Sequence, residues 1–223
     1  MIEESLKPST HIVFGFGASS LYGAWDTQGG WFGRLRNYYD TKNEYNDSYC
    51  SLFYNLAVDG ETTNGTLRRF ENEIRPRASK LKQENVVVFD LGKNDSAFII
   101  KEKKNRTSPD SFANNLRKLH ALASNFASKI VFVGVLPILE ENDPGYKKWI
   151  PEFSWTLENL EKYGKMVRDI ASETKADYID LREAFDGFRP SEVLDDGLHL
   201  NWRGHEITFN AVRDFFINNN ILD

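Results

Sequence analysis

Short apolar runs recur along the chain, at residues 12–16, 52–58, 86–91, 130–136 and 178–181. Each is long enough for a buried strand and too short for a helix. They are continuously apolar rather than alternating, which predicts strands covered on both faces. Between them the apolar positions follow helical spacing, over 31–39, 62–81, 108–127, 155–174 and 202–218. Pro76 ends or kinks the second of these, because proline lacks the N–H that a helix interior needs. Ser108 is placed to cap the third and Pro109 to begin it. Phe112, Leu116, Leu119 and Leu122 then share one face. Leu157, Leu160, Tyr163, Val167 and Ile170 form the stripe of the fourth helix, and Ile207, Val212, Phe215 and Phe216 that of the last. Strand and helix alternate throughout, so the pattern predicts an α/β fold with a parallel sheet and helices on both faces.

Composition adds limits. A chain of 223 residues suits a single domain spanning 1–223, and 40% hydrophobic residues suffice for a sizeable core. The net charge of −5 argues against nucleic acid or an anionic membrane as the partner. No segment is long and apolar enough to span a bilayer. The opening MIEESLKPST lacks the basic start and apolar centre of a signal peptide, so a cytoplasmic location is expected. Cys50 is the only cysteine, which excludes an intrachain disulfide, and it fits packing within a strand. The stretch 137–153 carries three prolines and is long for a connection. It follows the fourth run, and we expect it to form a pocket wall or lid.

The chemistry gathers where strands end. Polar or glycine residues follow four of the five runs: Ser19 after the first, Asp59 and Gly60 after the second, Gly92, Asn94 and Asp95 after the third, and Asp196 and His199 beyond the fifth. In an open parallel sheet these ends share one edge, where ligands bind. A serine needs a base to become a nucleophile, and the base needs a group to orient it. Of the four histidines, only His199 sits in a loop near a carboxylate, three residues after Asp196. His11, His120 and His205 suit packing or surface roles. The backbone N–H groups of Ser19 and Gly60 and the side-chain amide of Asn94 are candidate oxyanion donors. Taken singly, these residues equally suit turns and helix caps. Tyr22, Trp25, Trp31 and Trp149 suit either a sugar or acyl site or the core. The histidine spacing does not match a zinc site, and the glycines at 15, 17 and 23 form neither a dinucleotide fingerprint nor a P-loop.

Four blocks, taken in order, resemble the SGNH hydrolases, the GDSL-type lipase and esterase family. Gly17-Ala18-Ser19-Ser20-Leu21-Tyr22-Gly23 matches a Gly-Asp-Ser-x-x-x-Gly pattern except at Ala18. Asn55 to Thr63 supplies the glycine, Gly92-Lys93-Asn94-Asp95 the asparagine, and Asp196-Gly197-Leu198-His199 the acid and base. The resemblance implies a flavodoxin-like three-layer sandwich with a five-stranded sheet in the order 2-1-3-4-5. It also implies a cofactor-free, metal-independent serine hydrolase acting on a small-molecule ester or thioester. Ser19, Asp196 and His199 would form its triad, and Ser19, Gly60 and Asn94 its oxyanion hole. A carbohydrate O-deacetylase or an acyltransferase would use the same residues. Ala18, in place of the family Asp, keeps a non-catalytic binding module open as well.

Overall fold

The first, third and fourth apolar runs are buried on both faces, whereas Leu52 in the second is exposed and the fifth is only partly buried. In this computed structural model, which describes residues 9–45, 49–140 and 150–222, the chain runs through β1 (Ser9–Gly17), α1 (Ser19–Tyr22), α2 (Gly30–Tyr45), β2 (Tyr49–Asn55) and α3 (Thr63–Ile74). It continues through β3 (Asn85–Asp90), α4 (Lys93–Ser96), β4 (Phe98–Ile99), β5 (Lys104–Asn105) and α5 (Pro109–Ala123). Then come β6 (Lys129–Val133), β7 (Phe153–Ser154), α6 (Leu157–Thr174), β8 (Asp177–Ile179), α7 (Arg182–Phe185), α8 (Pro190–Val193) and α9 (Trp202–Asn218).

Five parallel strands form the central sheet in the spatial order β2-β1-β3-β6-β8. Counted along the chain this is 2-1-3-4-5, the order implied by the family resemblance. Successive strand residues point to opposite faces. Val13, Val86, Val88, Val131 and Val133 pack on one face against α2 and α9 residues such as Trp31, Leu35, Val212 and Phe216. Ile12, Phe14, Phe16, Val87, Phe89, Ile130 and Phe132 pack on the other, against Phe70, Phe112, Leu116, Tyr163 and Val167 of α3, α5 and α6. That second face is rich in rings: Phe16 and Phe70 lie 4.7 Å apart, and Phe89 and Phe132 5.3 Å. Among the described residues, no helix is long and apolar enough to cross a membrane.

Several boundaries depart from the pattern for local reasons. The helix expected over 62–81 stops at Ile74, two residues before Pro76. The second strand stops at Asn55, although the apolar run reaches Val58. Leu157 is exposed, unlike the rest of its stripe, because it is the first residue of α6. A small antiparallel sheet, β5-β4-β7, is absent from the sequence reading. Two-residue strands are too short to show a period.

Candidate active site

Ser19 stands where β1 gives way to α1, next to a turn made by Gly17 and Ala18. It is buried, with 8% of its surface exposed. Its carbonyl accepts the N–H groups of Gly23 and Ala24, each at 3.0 Å, which closes the one-turn helix behind it. Gly23 has φ +90°, and a Cβ there would lie 2.3 Å from the Gly29 carbonyl carbon, so only glycine fits. Beyond it, Asp26 accepts the Gly30 N–H at 3.0 Å and pairs with the buried Arg34 at 2.9 Å. Burial works against the Asp26 charge, but Arg34 holds its carboxyl below the ordinary range. His205 of α9 buttresses the same turn. Its Nδ1 accepts the Trp31 N–H at 3.2 Å, and its Nε2 faces the Ala24 carbonyl at 3.3 Å. Burial pushes this imidazole down to about 4, so it is neutral, with its proton on Nε2.

The segment after β2 stays beside the end of β1. The Leu56 N–H donates to the Gly15 carbonyl and the Val58 N–H to that of Gly17. This carries the chain to Gly60, whose φ of +67° is a left-handed conformation. Arg106 donates to the Gly60 carbonyl at 2.9 Å and thereby orients that peptide. The next helix, α3, is tied to α4: the Thr63 hydroxyl and N–H donate to the fully buried Asp95 at 2.6 and 3.0 Å. Burial raises the Asp95 carboxyl above its ordinary value despite these bonds. Asp95 is the neighbour of Asn94, so the pair sets the Gly60 turn against the Asn94 turn.

Ser19 and Asn94 line one small cavity together with Ala18, Ser20, Glu61, Asp90 and Lys93. Glu61 is paired with Arg69. Among the described residues, the N–H groups of Ser19 and Gly60 and the Asn94 amide have no acceptor within hydrogen-bond distance.

Asp196 and His199 lie in a tight hairpin closed by a bridge between Leu194 and Leu200. Asp196 Oδ1 accepts the N–H groups of Leu198 and His199 at 2.8 and 2.7 Å, and Oδ2 meets His199 Nδ1 at 2.7 Å. Burial opposes the Asp196 charge, yet the bond to the His199 ring and the two backbone donors outweigh it and hold the carboxyl down to about 2. The ring proton is thereby drawn to Nδ1, and Nε2 is left as an acceptor. The hairpin is fixed at the edge that holds Ser19. Lys93 Nζ donates to the Leu198 carbonyl at 2.8 Å, and the Leu139 N–H to that of Gly197 at 2.7 Å. Trp25, six residues past Ser19, sets its ring edge-on to His199 at 5.8 Å between centroids.

The expected substrate residues Tyr22 and Trp25 are both exposed, whereas Trp31, weighed with them, is fully buried in the core between the sheet and α2 and α9. Trp149 lies outside the described residues, as does most of the expected lid: of 137–153, only 137–140 and 150–153 are described. Those flanks do reach this edge. Leu139 bonds the 197 turn, and Phe153 pairs with Ile99 in the small sheet. His120 is half-buried on α5, and burial lowers its imidazole. The sequence reading passed over Lys93, Asp90 and the Thr63–Asp95 tie. A charged residue directly after a buried apolar run was the available signal. Among the described residues, no three His, Cys, Asp or Glu side chains are grouped to hold a metal ion.

The model of the GDSL-like lipase/acylhydrolase family matches residues 12–207, a span that includes all four blocks. No curated protein matches the chain. Among solved structures it is similar to the acetylxylan esterase Axe2 of Geobacillus stearothermophilus, with a TM-score of 0.69 and 18% identity over 93% of this chain and 94% of that one. It is similar to a lipase/acylhydrolase of Enterococcus faecalis, with a TM-score of 0.67 and 17% identity over 94% and 96%. An alpha/beta hydrolase enzyme from the Lake Arreo metagenome gives a TM-score of 0.70 and 16% identity over 96% of both chains. At these identities the likeness is one of fold.

Proposed function

Because the chain belongs to the GDSL-like lipase/acylhydrolase family and is an ester-hydrolysing enzyme, we propose that it works through an acyl-enzyme on Ser19. The Ser19 Oγ attacks the ester carbonyl carbon while His199 Nε2 takes its proton. Negative charge then gathers on the carbonyl oxygen, which the N–H groups of Ser19 and Gly60 and the Asn94 amide receive. The C–O bond to the leaving alcohol breaks, and His199 returns the proton to that alcohol. Water, deprotonated by the same imidazole, attacks the acyl-enzyme and frees the acid and Ser19. Asp196 holds the imidazole in the working tautomer and stabilises it when charged. General acid–base help of this kind contributes about 10²–10⁴-fold, and each oxyanion donor about 10²–10³-fold.

The observation that supports this reading most is the 2.7 Å contact between Asp196 Oδ2 and His199 Nδ1, in a hairpin bonded to the α4 turn that shares a cavity with Ser19. Turnover of p-nitrophenyl acetate by Ser19→Ala tests it. The expected loss is about 10⁵–10⁶-fold in a folded protein. Retained turnover contradicts the assignment.

Trp25 favours one substrate class within this reading, an acetyl ester carried on a carbohydrate. Trp25 is 56% exposed and its ring adjoins His199, so an apolar sugar face has a platform beside the reacting ester. Axe2, an acetylxylan esterase, shares the fold. Comparing kcat/KM for acetylated xylooligosaccharides with that for p-nitrophenyl esters of longer acids tests this. A preference for the long acids contradicts it.

A further inference from the structure

We propose that Lys93 is a positioning residue, whose ammonium clamps the Asp196–His199 hairpin to the helix that bears Asn94. The proposal rests on the reading above, in which these residues serve Ser19.

Lys93 opens α4, directly before Asn94. Its Nζ donates to the Leu198 carbonyl at 2.8 Å and to the Pro137 carbonyl at 3.3 Å. Leu198 lies between Asp196 and His199, so the first bond grips the hairpin at its centre. Pro137 begins the segment that follows β6, so the second bond fixes its root. The Lys93 carbonyl accepts the Trp155 indole N–H at 3.0 Å and the Ser96 hydroxyl at 2.8 Å. One residue therefore joins the oxyanion turn, the acid–base hairpin and both flanks of the 137–153 segment.

The surroundings make this an expensive place for a cation. Burial lowers the Lys93 amine to about 8. Asp90 of β3 and Asp196 of the hairpin act against that effect, and His205 of α9, neutral at this site, is the third titratable group that feels the charge. Asp90 lies on the wall of the Ser19 cavity with its Oδ2 shut off from solvent and without a hydrogen bond. Burial pushes its carboxyl up to about 6. An apolar side chain of equal length would avoid these penalties, because buried ions often cost more than they return. What a lysine supplies here is a donor to two carbonyls and one positive charge near two carboxylates.

Lys93→Met removes donor and charge, whereas Lys93→Gln removes the charge and keeps an N–H donor. With p-nitrophenyl acetate, Lys93→Met should lose about 10–10²-fold in kcat with KM within about twofold, as for a misplaced catalytic group. Lys93→Gln should lose less. A Lys93→Met enzyme with kcat within about twofold of the parent overturns the proposal. If neither variant folds, the unaltered protein decides. Lys93 should resist reductive methylation at neutral pH while exposed Lys101 and Lys118 react, and equal reaction overturns the clamp. Ser19→Ala, run alongside, separates the two ideas. Its retained turnover would defeat the assignment of the acyl-enzyme to Ser19, whereas an unaffected Lys93→Met beside an inactive Ser19→Ala defeats the clamp alone.

Discussion

Asp196 grips His199 twice: Oδ2 meets the ring Nδ1 at 2.7 Å, and Oδ1 accepts the backbone N–H of the same residue at 2.7 Å. One carboxylate therefore fixes both the path of the hairpin and the direction of the ring. In Asp196→Asn, the amide oxygen can still take the backbone bonds, but an NH₂ group faces Nδ1 and reverses the tautomer. The expected loss is about 10³–10⁴-fold in kcat with the fold retained. Circular dichroism beside p-nitrophenyl acetate turnover checks both halves.

The same carboxylate predicts an acid response. Its folded value, about 2, lies below the ordinary 3.8, so its ionised form favours the folded state. The stabilisation, about 2 kcal/mol from a shift of that size, is complete above pH ~4 and lost as pH falls through ~2. Asp196→Asn should flatten that part of the stability curve, measured by urea midpoint against pH.

His205 predicts a response at milder acidity. Burial depresses it from 6.5 to about 4, so unfolded chains bind a proton there before folded ones do. Stability from this site is complete above pH ~6.5 and lost as pH falls toward and through ~4, by about 3 kcal/mol in all. The Tm of the parent should fall across that window. His205→Gln, which keeps a donor toward Ala24, should show a shallower fall even if it starts lower.

Asn94→Ala removes one of the proposed oxyanion donors and nothing that holds a helix. It should lower kcat by about 10²–10³-fold with little change in KM. Asp95→Ala, one residue on, should act differently. It strands the Thr63 N–H and hydroxyl in a fully buried setting and costs about 3 kcal/mol of stability. Chemical denaturation of the two variants, beside their kinetics, separates a donor to the substrate from a tie between helices.

Much of this was legible in the chain. The three inner strands, β1, β3 and β6, showed themselves because helices bury both of their faces, and burial on both faces demands unbroken apolar runs; the edge strands β2 and β8 are covered less completely. The helices of α5 and α9 showed in their stripes, and Ser108 does accept the Ser111 N–H as a cap at 3.3 Å. Strand order was different, since no local pattern encodes which strand neighbours which, and it came with the family resemblance. The residues at the strand ends stood out because polar and glycine residues interrupt apolar runs there. Lys93 and Asp90 did not, because a charge beside a strand end reads as surface until the fold closes over it. Leu157 misled in the opposite sense: its spacing fits the stripe, yet a first-turn residue looks outward. Ala18 shows how a departure from a motif is absorbed. The α1 turn is closed by backbone bonds to the Ala18 and Ser19 carbonyls and by the tight Gly23 packing, and none of these uses a side chain at position 18.

Covalent labelling tests the central claim most directly. A fluorophosphonate reacts with a serine whose hydroxyl is activated by a neighbouring base and whose phosphoryl oxygen finds an oxyanion hole. After incubation and proteolysis, mass spectrometry should find stoichiometric adduct on the peptide at Ser19, none in Ser19→Ala, and sharply slowed labelling in His199→Ala. An unlabelled Ser19, or an adduct at another serine that accompanies loss of esterase activity, would contradict the account.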